Sequence, residues 1–143
     1  MREITATKIT NKVKELFLEA NYHIGRDVLD ALINAVEKEQ SPVGKDVLNM
    51  IIKNNQLASS EELAICQDTG LAILFIELGQ KVRIIEGDFM EAINAGVKEA
   101  YQDGFLRKSV VDDPVFEREN TKTNTPAFTY IDIVPGEKIK ITV

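Results

Sequence analysis

The residues best suited to chemistry lie in one short segment, Cys-Gln-Asp-Thr-Gly, which runs from Cys66 to Gly70. Cys66 is the only cysteine of the chain, and its thiolate would be a ligand for a metal or an iron–sulfur cluster. Asp68 offers a carboxylate for general acid or base catalysis, and Gln67 can hydrogen-bond a small polar ligand. The same pattern fits a structural turn beside a small buried cysteine. The segment by itself leaves both interpretations open.

A single cysteine limits the kind of metal site that the chain can build. Structural zinc sites and iron–sulfur clusters need several ligating side chains, and no Cys-X-X-Cys pair is present. A cluster would therefore require cysteines from another segment or another chain. His23 is the only histidine, and its position at the end of the first predicted helix favours a cap or a surface residue over a catalyst.

Arg107 and the polar loop after it form the second group of candidates. The planar fork of Arg107 suits a carboxylate, but a cation just after a helix end is also favourable without any function. The loop from 105 to 128 shows no sustained period and is predicted to be functional or disordered. Its polar side chains would bind an oxyanion or simply be solvated: Asn120, Thr121, Thr123, Asn124 and Thr125.

Hydrophobic periodicity predicts the elements that must position these residues. Three amphipathic helices before Ser59 are expected to pack as a small antiparallel bundle, and Ser41 is expected to cap the third. A near-continuous apolar run over residues 71–78 predicts a strand covered on both faces. A second strand is expected over 81–87, and Asp88 and Gly104 are placed to begin and end a long helix.

The last fifteen residues predict two strands around the turn Pro135-Gly136. The fold class is therefore α+β, with an N-terminal three-helix bundle followed by a small mixed β-sheet and one long packed helix. We expect a single domain over 1–143, divided into a helical bundle (1–59) and an α/β part (60–143).

Composition narrows the classes of partner and compartment. The chain has 143 residues, of which 44% are hydrophobic and 28% charged, as in globular proteins. Its net charge of −6 argues against nucleic acid as a partner, because phosphate backbones are bound by clusters of Lys and Arg. One cysteine cannot form an internal disulfide, so a reducing cytoplasm is expected. No apolar segment is long enough for a membrane span, and no signal peptide is recognisable.

Four segments, in this order, resemble the N-terminal half of the iron–sulfur hydro-lyases, the class I fumarate hydratases and the L(+)-tartrate dehydratases. They are ICQDTGLAILFIELGQ, GFLRKSVVDDPVF, NTKTNTPAF and IDIVPGEKIKITV. The resemblance implies an N-terminal fragment of the α subunit or α region, with the rest of the α region and the β region absent. We expect exposed apolar surface where the missing segment would lie.

The resemblance also implies roles for individual residues. Cys66 is expected to be one of three cysteine ligands of an oxygen-sensitive 4Fe-4S cluster, the other two lying outside this chain. Gln67 is expected to hydrogen-bond the substrate, and Asp68 to be an active-site carboxylate that hydrogen-bonds the substrate or shares in proton transfer. Arg107 is expected to bind a substrate carboxylate.

The implied activity is that of a lyase in the tricarboxylic acid cycle, the reversible hydration of fumarate to malate with the cluster as Lewis acid. The alternatives are an L(+)-tartrate dehydratase α subunit and a non-catalytic scaffold of the same fold. The implied partners are a small dicarboxylate, a β subunit or β region, and further copies in a homo- or hetero-oligomer. With one cluster cysteine, the chain alone is expected to be inactive.

Overall fold

The computed structural model describes residues 1–143 and confirms the α+β class. It contains four helices: α1 (Ala6–Tyr22), α2 (Arg26–Lys38), α3 (Pro42–Glu61) and α4 (Phe89–Asp103). It also contains five strands: β1 (Arg2–Thr5), β2 (Ile73–Gly79), β3 (Val82–Ile85), β4 (Phe128–Val134) and β5 (Ile139–Thr142). None of the helices combines the length and the apolar character needed to cross a membrane.

The chain forms two compact units. The first, which we call the sheet unit, consists of residues 1–18 and 68–143, and the second, the helical unit, of residues 19–67. Helix α1 contributes residues to both units. The expectation of a single domain over the whole chain stays a prediction.

The helix ends follow the capping residues that the sequence indicates. The Ser41 hydroxyl accepts a hydrogen bond from the Gly44 amide at 3.3 Å, and Pro42 opens α3, where its missing amide hydrogen has no cost. The Asp88 carboxylate accepts from the Glu91 amide at 2.9 Å at the start of α4, and Gly104 caps its end. Helices α3 and α4 therefore begin where local sequence predicts, and α4 also ends there.

Strands that are neighbours in the sheets of this unit are not neighbours in the sequence. Strands β1 and β3 form one parallel pair, and the second sheet has the order β4-β2-β5, in which β2 runs parallel to β4 and antiparallel to β5. The two C-terminal strands exist as predicted, but β2 lies between them. The amide of Gly79 at the end of β2 donates to the Lys138 carbonyl at 2.9 Å, and a Cβ at Gly79 would stand 2.7 Å from the Gly136 carbonyl oxygen. Only glycine leaves room for the turn to pass so closely.

Helix α4 packs directly against the first part of α1. The Thr10 hydroxyl donates to the Ala92 carbonyl at 3.0 Å, and a Cβ at Gly96 would meet the Thr10 carbonyl oxygen at 2.6 Å. The core of the sheet unit lies around this contact, and its largest fully buried side chains are Val13, Leu74, Ile76, Ile93, Val97, Tyr101 and Asn124.

Strand β2 buries only one of its faces, so the prediction of two covered faces is wrong for this chain. Leu74 and Ile76 are buried, whereas Phe75 between them is 57% exposed. Phe75 stacks on Tyr130 of β4 with ring centroids 5.3 Å apart, and both rings face outward. Alternate residues of a strand point to opposite faces, and these 143 residues cover one face only. The expected exposed apolar surface is therefore present on this sheet.

Candidate active site

Cys66 lies in the helical unit, in the bend that follows α3, and its side chain is exposed. The residue before it, Ile65, has both its main-chain amide and its main-chain carbonyl hydrogen-bonded. The Asn54 side-chain amide donates to the Ile65 carbonyl at 2.8 Å, and the Ile65 amide donates to the Asn21 carbonyl at 2.9 Å. These bonds present the thiol at the surface from an anchored backbone, so the interpretation of Cys66 as a small buried cysteine does not hold for this chain.

The next residues of the segment are exposed polar side chains on a sharp turn. Gln67 is exposed and is the last residue of the helical unit, and Asp68 is exposed and begins the second part of the sheet unit. Gly70 has a φ of +64°, a conformation that glycine adopts without strain. Strand β2 begins three residues later and gives the turn a rigid support.

A hydrogen bond to its main-chain carbonyl places Arg107 beside this turn. The Thr69 hydroxyl donates to the Arg107 carbonyl at 2.9 Å. Thr69 is the immediate neighbour of Asp68, so the structure brings the segments of two predicted site residues together within the sheet unit. The Arg107 side chain is exposed while its main chain is fixed, which is the arrangement expected for a cation that binds a ligand.

The backbone on either side of Arg107 is also bonded. The Leu106 amide donates to the Tyr101 carbonyl at 3.1 Å, as the chain leaves α4. The Ser109 amide donates to the Asn124 side-chain oxygen at 2.7 Å. The guanidinium therefore projects from a short segment that is held at both ends.

Tyr101 and Asn124 link the same turn to the Arg107 segment. The Tyr101 hydroxyl donates to the carbonyls of Thr69 at 3.0 Å and of Gly70 at 3.3 Å. The Asn124 side-chain nitrogen donates to the Gly70 carbonyl at 3.3 Å. Burial raises the pKa of Tyr101, so the phenol remains a neutral donor at physiological pH.

Sequence reasoning missed the role of both residues. Tyr101 lies on the buried face of α4, and the sequence predicts Asn124 only as a polar side chain of a loop that binds an oxyanion or is solvated. A tyrosine on the buried face of a helix needs a partner for its hydroxyl, and that signal pointed to a polar neighbour. Asn124 has a φ of +57°, which asparagine tolerates better than most residues, but no local pattern reveals its burial.

The loop from 108 to 123 is ordered by its own polar groups. The Asn120 side chain donates to the Lys108 carbonyl at 2.8 Å and accepts from the Lys122 amide at 2.7 Å. The Asp113 carboxylate accepts from the amides of Val115 at 2.8 Å and Phe116 at 3.1 Å, and these bonds lower the pKa of Asp113. The side chains of Asn120 and Asp113 thus hydrogen-bond the main chain of the loop itself.

The residues present can supply part of a cluster site. The Cys66 thiol is exposed and so accessible to a cluster, which cysteine thiolates hold. No group of three or more His, Cys, Asp and Glu side chains is placed to hold a metal ion. The donor set fits one ligand of a cluster whose remaining cysteines come from elsewhere. His23 Nδ1 lies 2.8 Å from the Ser59 hydroxyl, at the end of α1 in the helical unit.

Comparison with known proteins gives a consistent set of similarities. Residues 10–143 match the family described as fumarate hydratase (Fumerase). The chain is 41% identical over 118 residues to a Methanocaldococcus jannaschii protein provisionally named L(+)-tartrate dehydratase subunit alpha, covering 82% of this chain and 41% of that protein. It is 29% identical over 150 residues to the L(+)-tartrate dehydratase subunit alpha of Escherichia coli UTI89, covering all of this chain and 49% of that protein. The chain thus spans about half the length of the curated relatives it matches.

Proposed function

The chain belongs to the fumarate hydratase family, and on that basis we propose that it is the N-terminal part of the α subunit of an L(+)-tartrate dehydratase. The observation that carries the choice of substrate is the 41% identity over 82% of the chain to a relative provisionally named for that activity. The E. coli relatives, which match 94% or more of the chain, carry the same name.

Hydration of fumarate to malate is the second candidate. The family description itself favours it, since the matched family is named for fumarate hydratase. Both reactions add or remove water at adjacent carbons of a four-carbon dicarboxylate. Removing water from tartrate leaves the enol of a 2-oxo dicarboxylate, whereas removing water from malate leaves fumarate. One set of carboxylate-binding groups would serve both.

In this proposal, Cys66 would hold a 4Fe-4S cluster together with two cysteines from outside these residues. When bound, the cluster would supply a Lewis acid for the leaving or attacking hydroxyl group. The contribution of this chain is an exposed thiol on a backbone anchored by Asn54 and Asn21. A fixed backbone limits the directions from which the sulfur can reach a ligand.

The turn after Cys66 would provide the polar contacts to substrate. Asp68 would accept or return the carbon-bound proton, which needs a carboxylate held close to the reacting carbon. Gln67 would hydrogen-bond a substrate hydroxyl or carboxylate. Arg107 would bind a substrate carboxylate through its two-pronged guanidinium. The Thr69–Arg107 hydrogen bond supports this division of roles, because it joins the segment of the base to the segment of the cation.

The remaining parts of the enzyme are proposed from the relatives. The name "subunit alpha" of the E. coli relative supports a β subunit as partner, and about half of the α sequence would lie beyond this chain. A homo- or hetero-oligomer in the reducing cytoplasm fits an enzyme with an exposed, cluster-binding thiol.

The test is an assay of the complete enzyme under anaerobic conditions. The full α sequence and its β partner are purified together, reconstituted with iron and sulfide, and assayed with L-tartrate, fumarate and malate. We expect kcat/KM to be at least about tenfold higher for L-tartrate than for fumarate, a difference in transition-state stabilisation of about 1.4 kcal/mol. A Cys66→Ser enzyme is the control, because it should lose turnover of every substrate.

The alternatives give different results in the same assay. Preference for fumarate and malate would replace tartrate dehydration with fumarate hydration. Absence of turnover for all three substrates, in a preparation with a complete cluster, would contradict both reactions and leave a non-catalytic scaffold.

A further inference from the structure

Asn124 is a fully buried polar side chain that joins two segments of the proposed active site. Its exposed fraction is 0%, which is rare for asparagine and requires its amide to be satisfied internally. The side-chain oxygen accepts from the amides of Ser109 at 2.7 Å and Val110 at 3.2 Å, and the nitrogen donates to the Gly70 carbonyl at 3.3 Å. One side chain thereby ties the Arg107 segment to the turn that follows Asp68.

The site selects asparagine for two separate reasons. The backbone at 124 has a φ of +57°, which asparagine adopts more readily than most side chains. The contacts require an acceptor and a donor on the same short side chain, and only the amide of asparagine provides both at that length. Aspartate would keep the acceptor for Ser109 and Val110 and lose the donor to Gly70.

Tyr101 makes a second link to the same turn, and its hydroxyl also contacts the Asn124 side chain. Its hydroxyl donates to the carbonyls of Thr69 and Gly70, and its main-chain carbonyl accepts from the Leu106 amide. The ring is 1% exposed and lies on α4, which packs closely on α1 at Gly96. The turn and the Arg107 segment are therefore both attached to a helix that has little freedom to move.

We propose that Asn124 and Tyr101 are positioning residues that hold the Asp68–Gly70 turn and Arg107 in one fixed arrangement for the reaction. Neither side chain need touch the substrate, because both act through backbone groups of the residues that do. The proposal rests on the proposed function for its catalytic consequence, since the positioned groups are the base and the carboxylate-binding cation. Misplacing such groups by about 1 Å can lower a rate by about a hundredfold.

The first measurement concerns backbone mobility in the 143-residue chain and does not depend on activity. Tyr101→Phe removes the hydroxyl donor, Asn124→Asp removes the amide donor, and the double variant removes both links to the turn. We expect the ¹⁵N order parameters of Asp68, Thr69 and Gly70 to fall from about 0.85 to below about 0.6 in the double variant. Tyr101→Phe adds no buried charge, so the order parameters of the turn can be measured in this variant even if Asn124→Asp fails to fold.

The matched control is Thr10→Val, which removes a partly buried hydrogen bond between α1 and α4 in the same unit. We expect it to lower stability without changing the order parameters of the turn. Unchanged order parameters in both Tyr101→Phe and the double variant would overturn the positioning role.

The second measurement uses the complete enzyme at a temperature at which every variant is folded. We expect each single variant to lower kcat about tenfold, which is the rate equivalent of losing one hydrogen bond at the upper end of its usual net strength, and the double variant to lower it more than the product of the two. KM should change less than kcat. If the Tyr101 and Asn124 variants had the same kcat as Thr10→Val, the proposal would be overturned. An inactive wild-type enzyme would instead refute the proposed function, and the order parameters of the turn would then decide whether the two residues position it.

Discussion

Arg107 combines a fixed main chain with an exposed guanidinium. Its carbonyl accepts the Thr69 hydroxyl at 2.9 Å, so the residue is placed by the backbone and its side chain remains available to a ligand. The sequence indicates the residue type, and the resemblance implies the role. The structure adds that the main chain of Arg107 is fixed by a hydrogen bond, so its flexible side chain extends from a defined position.

We expect Arg107→Lys to raise KM for the dicarboxylate about 10- to 100-fold in the complete enzyme. Lysine keeps the charge but loses one of the paired hydrogen bonds, and hydrogen bonds to charged groups are worth about 1.5–3 kcal/mol. Steady-state kinetics measure the change. Arg118→Lys is the control, because it makes the same substitution at another exposed arginine of the sheet unit. Equal KM values for the two variants would show that Arg107 does not bind the substrate.

Asp113 makes the order of its loop dependent on pH. Its pKa is lowered from the ordinary 3.8 because the amides of Val115 and Phe116 donate to its carboxylate. The unfolded loop therefore binds a proton at a higher pH than the folded loop. The stabilisation is fully present above the ordinary pKa and is lost as pH falls through the lowered value.

We expect amide exchange at Val115 and Phe116 to accelerate, after correction for the intrinsic rate, when the pH falls below about 3.8. Asp113→Asn should remove this dependence, because an amide keeps an acceptor oxygen and does not titrate. Asp112→Asn is the control and should keep it. A loop that exchanges at the same corrected rate on both sides of this pH would contradict the assignment.

At the scale of elements, the contact between α1 and α4 depends on the absence of a side chain at Gly96. A Cβ there would lie 2.6 Å from the Thr10 carbonyl oxygen and 2.8 Å from the Val13 Cβ, and neither group can rotate away. The contact sets how closely α4 can approach α1.

We expect Gly96→Ala to lower the free energy of unfolding by about 1–3 kcal/mol, because the two helices must separate to admit the methyl group. Gly44→Ala in α3 is the control. Its new Cβ would meet only the flexible Glu39 side chain, and alanine favours a helix over glycine by about 1 kcal/mol. Chemical denaturation measures both variants. A Gly96→Ala protein as stable as the Gly44→Ala protein would show that the close contact is not rigid.

Strand pairing is the part of the fold that local patterns could not supply. Strands β1 and β3 pair although Arg2 and Val82 are far apart in sequence. The sequence does not predict β1, because a strand of four residues is too short to show a clear alternation of apolar and polar side chains. Strands β4 and β5 were predicted, but the insertion of β2 between them depends on contacts with Gly79 and the turn at Gly136. Pairing is decided by non-local packing that periodicity does not contain.

At the scale of the whole molecule, the chain spans about half the length of the curated relatives it matches. The outer face of the β4-β2-β5 sheet exposes stacked aromatic rings at Phe75 and Tyr130. Apolar surface of this kind usually marks a contact with further protein.

We expect the 143-residue chain to hold no stoichiometric 4Fe-4S cluster by itself. It has one cysteine, whereas the cluster of this family is expected to need three from the protein. Anaerobic reconstitution with iron and sulfide, followed by metal analysis and an assay with L-tartrate and fumarate, measures the outcome. The complete enzyme is the positive control. A full cluster with turnover in the isolated chain would contradict the expected ligand set.

The sequence by itself determined the residue types and every element except β1, because capping, periodicity and turn chemistry act over a few residues. Ser41, Asp88 and Gly104 marked helix ends correctly, and Cys66-Gln67-Asp68 with Arg107 marked the candidate site. Only the tertiary structure decided that Thr69 bonds to Arg107, and that Asn124 and Tyr101 hold both segments. The contacts to the turn join residues 31 to 54 positions apart, and the partial burial of those made by Tyr101 and Asn124 exists only after the sheet unit has packed.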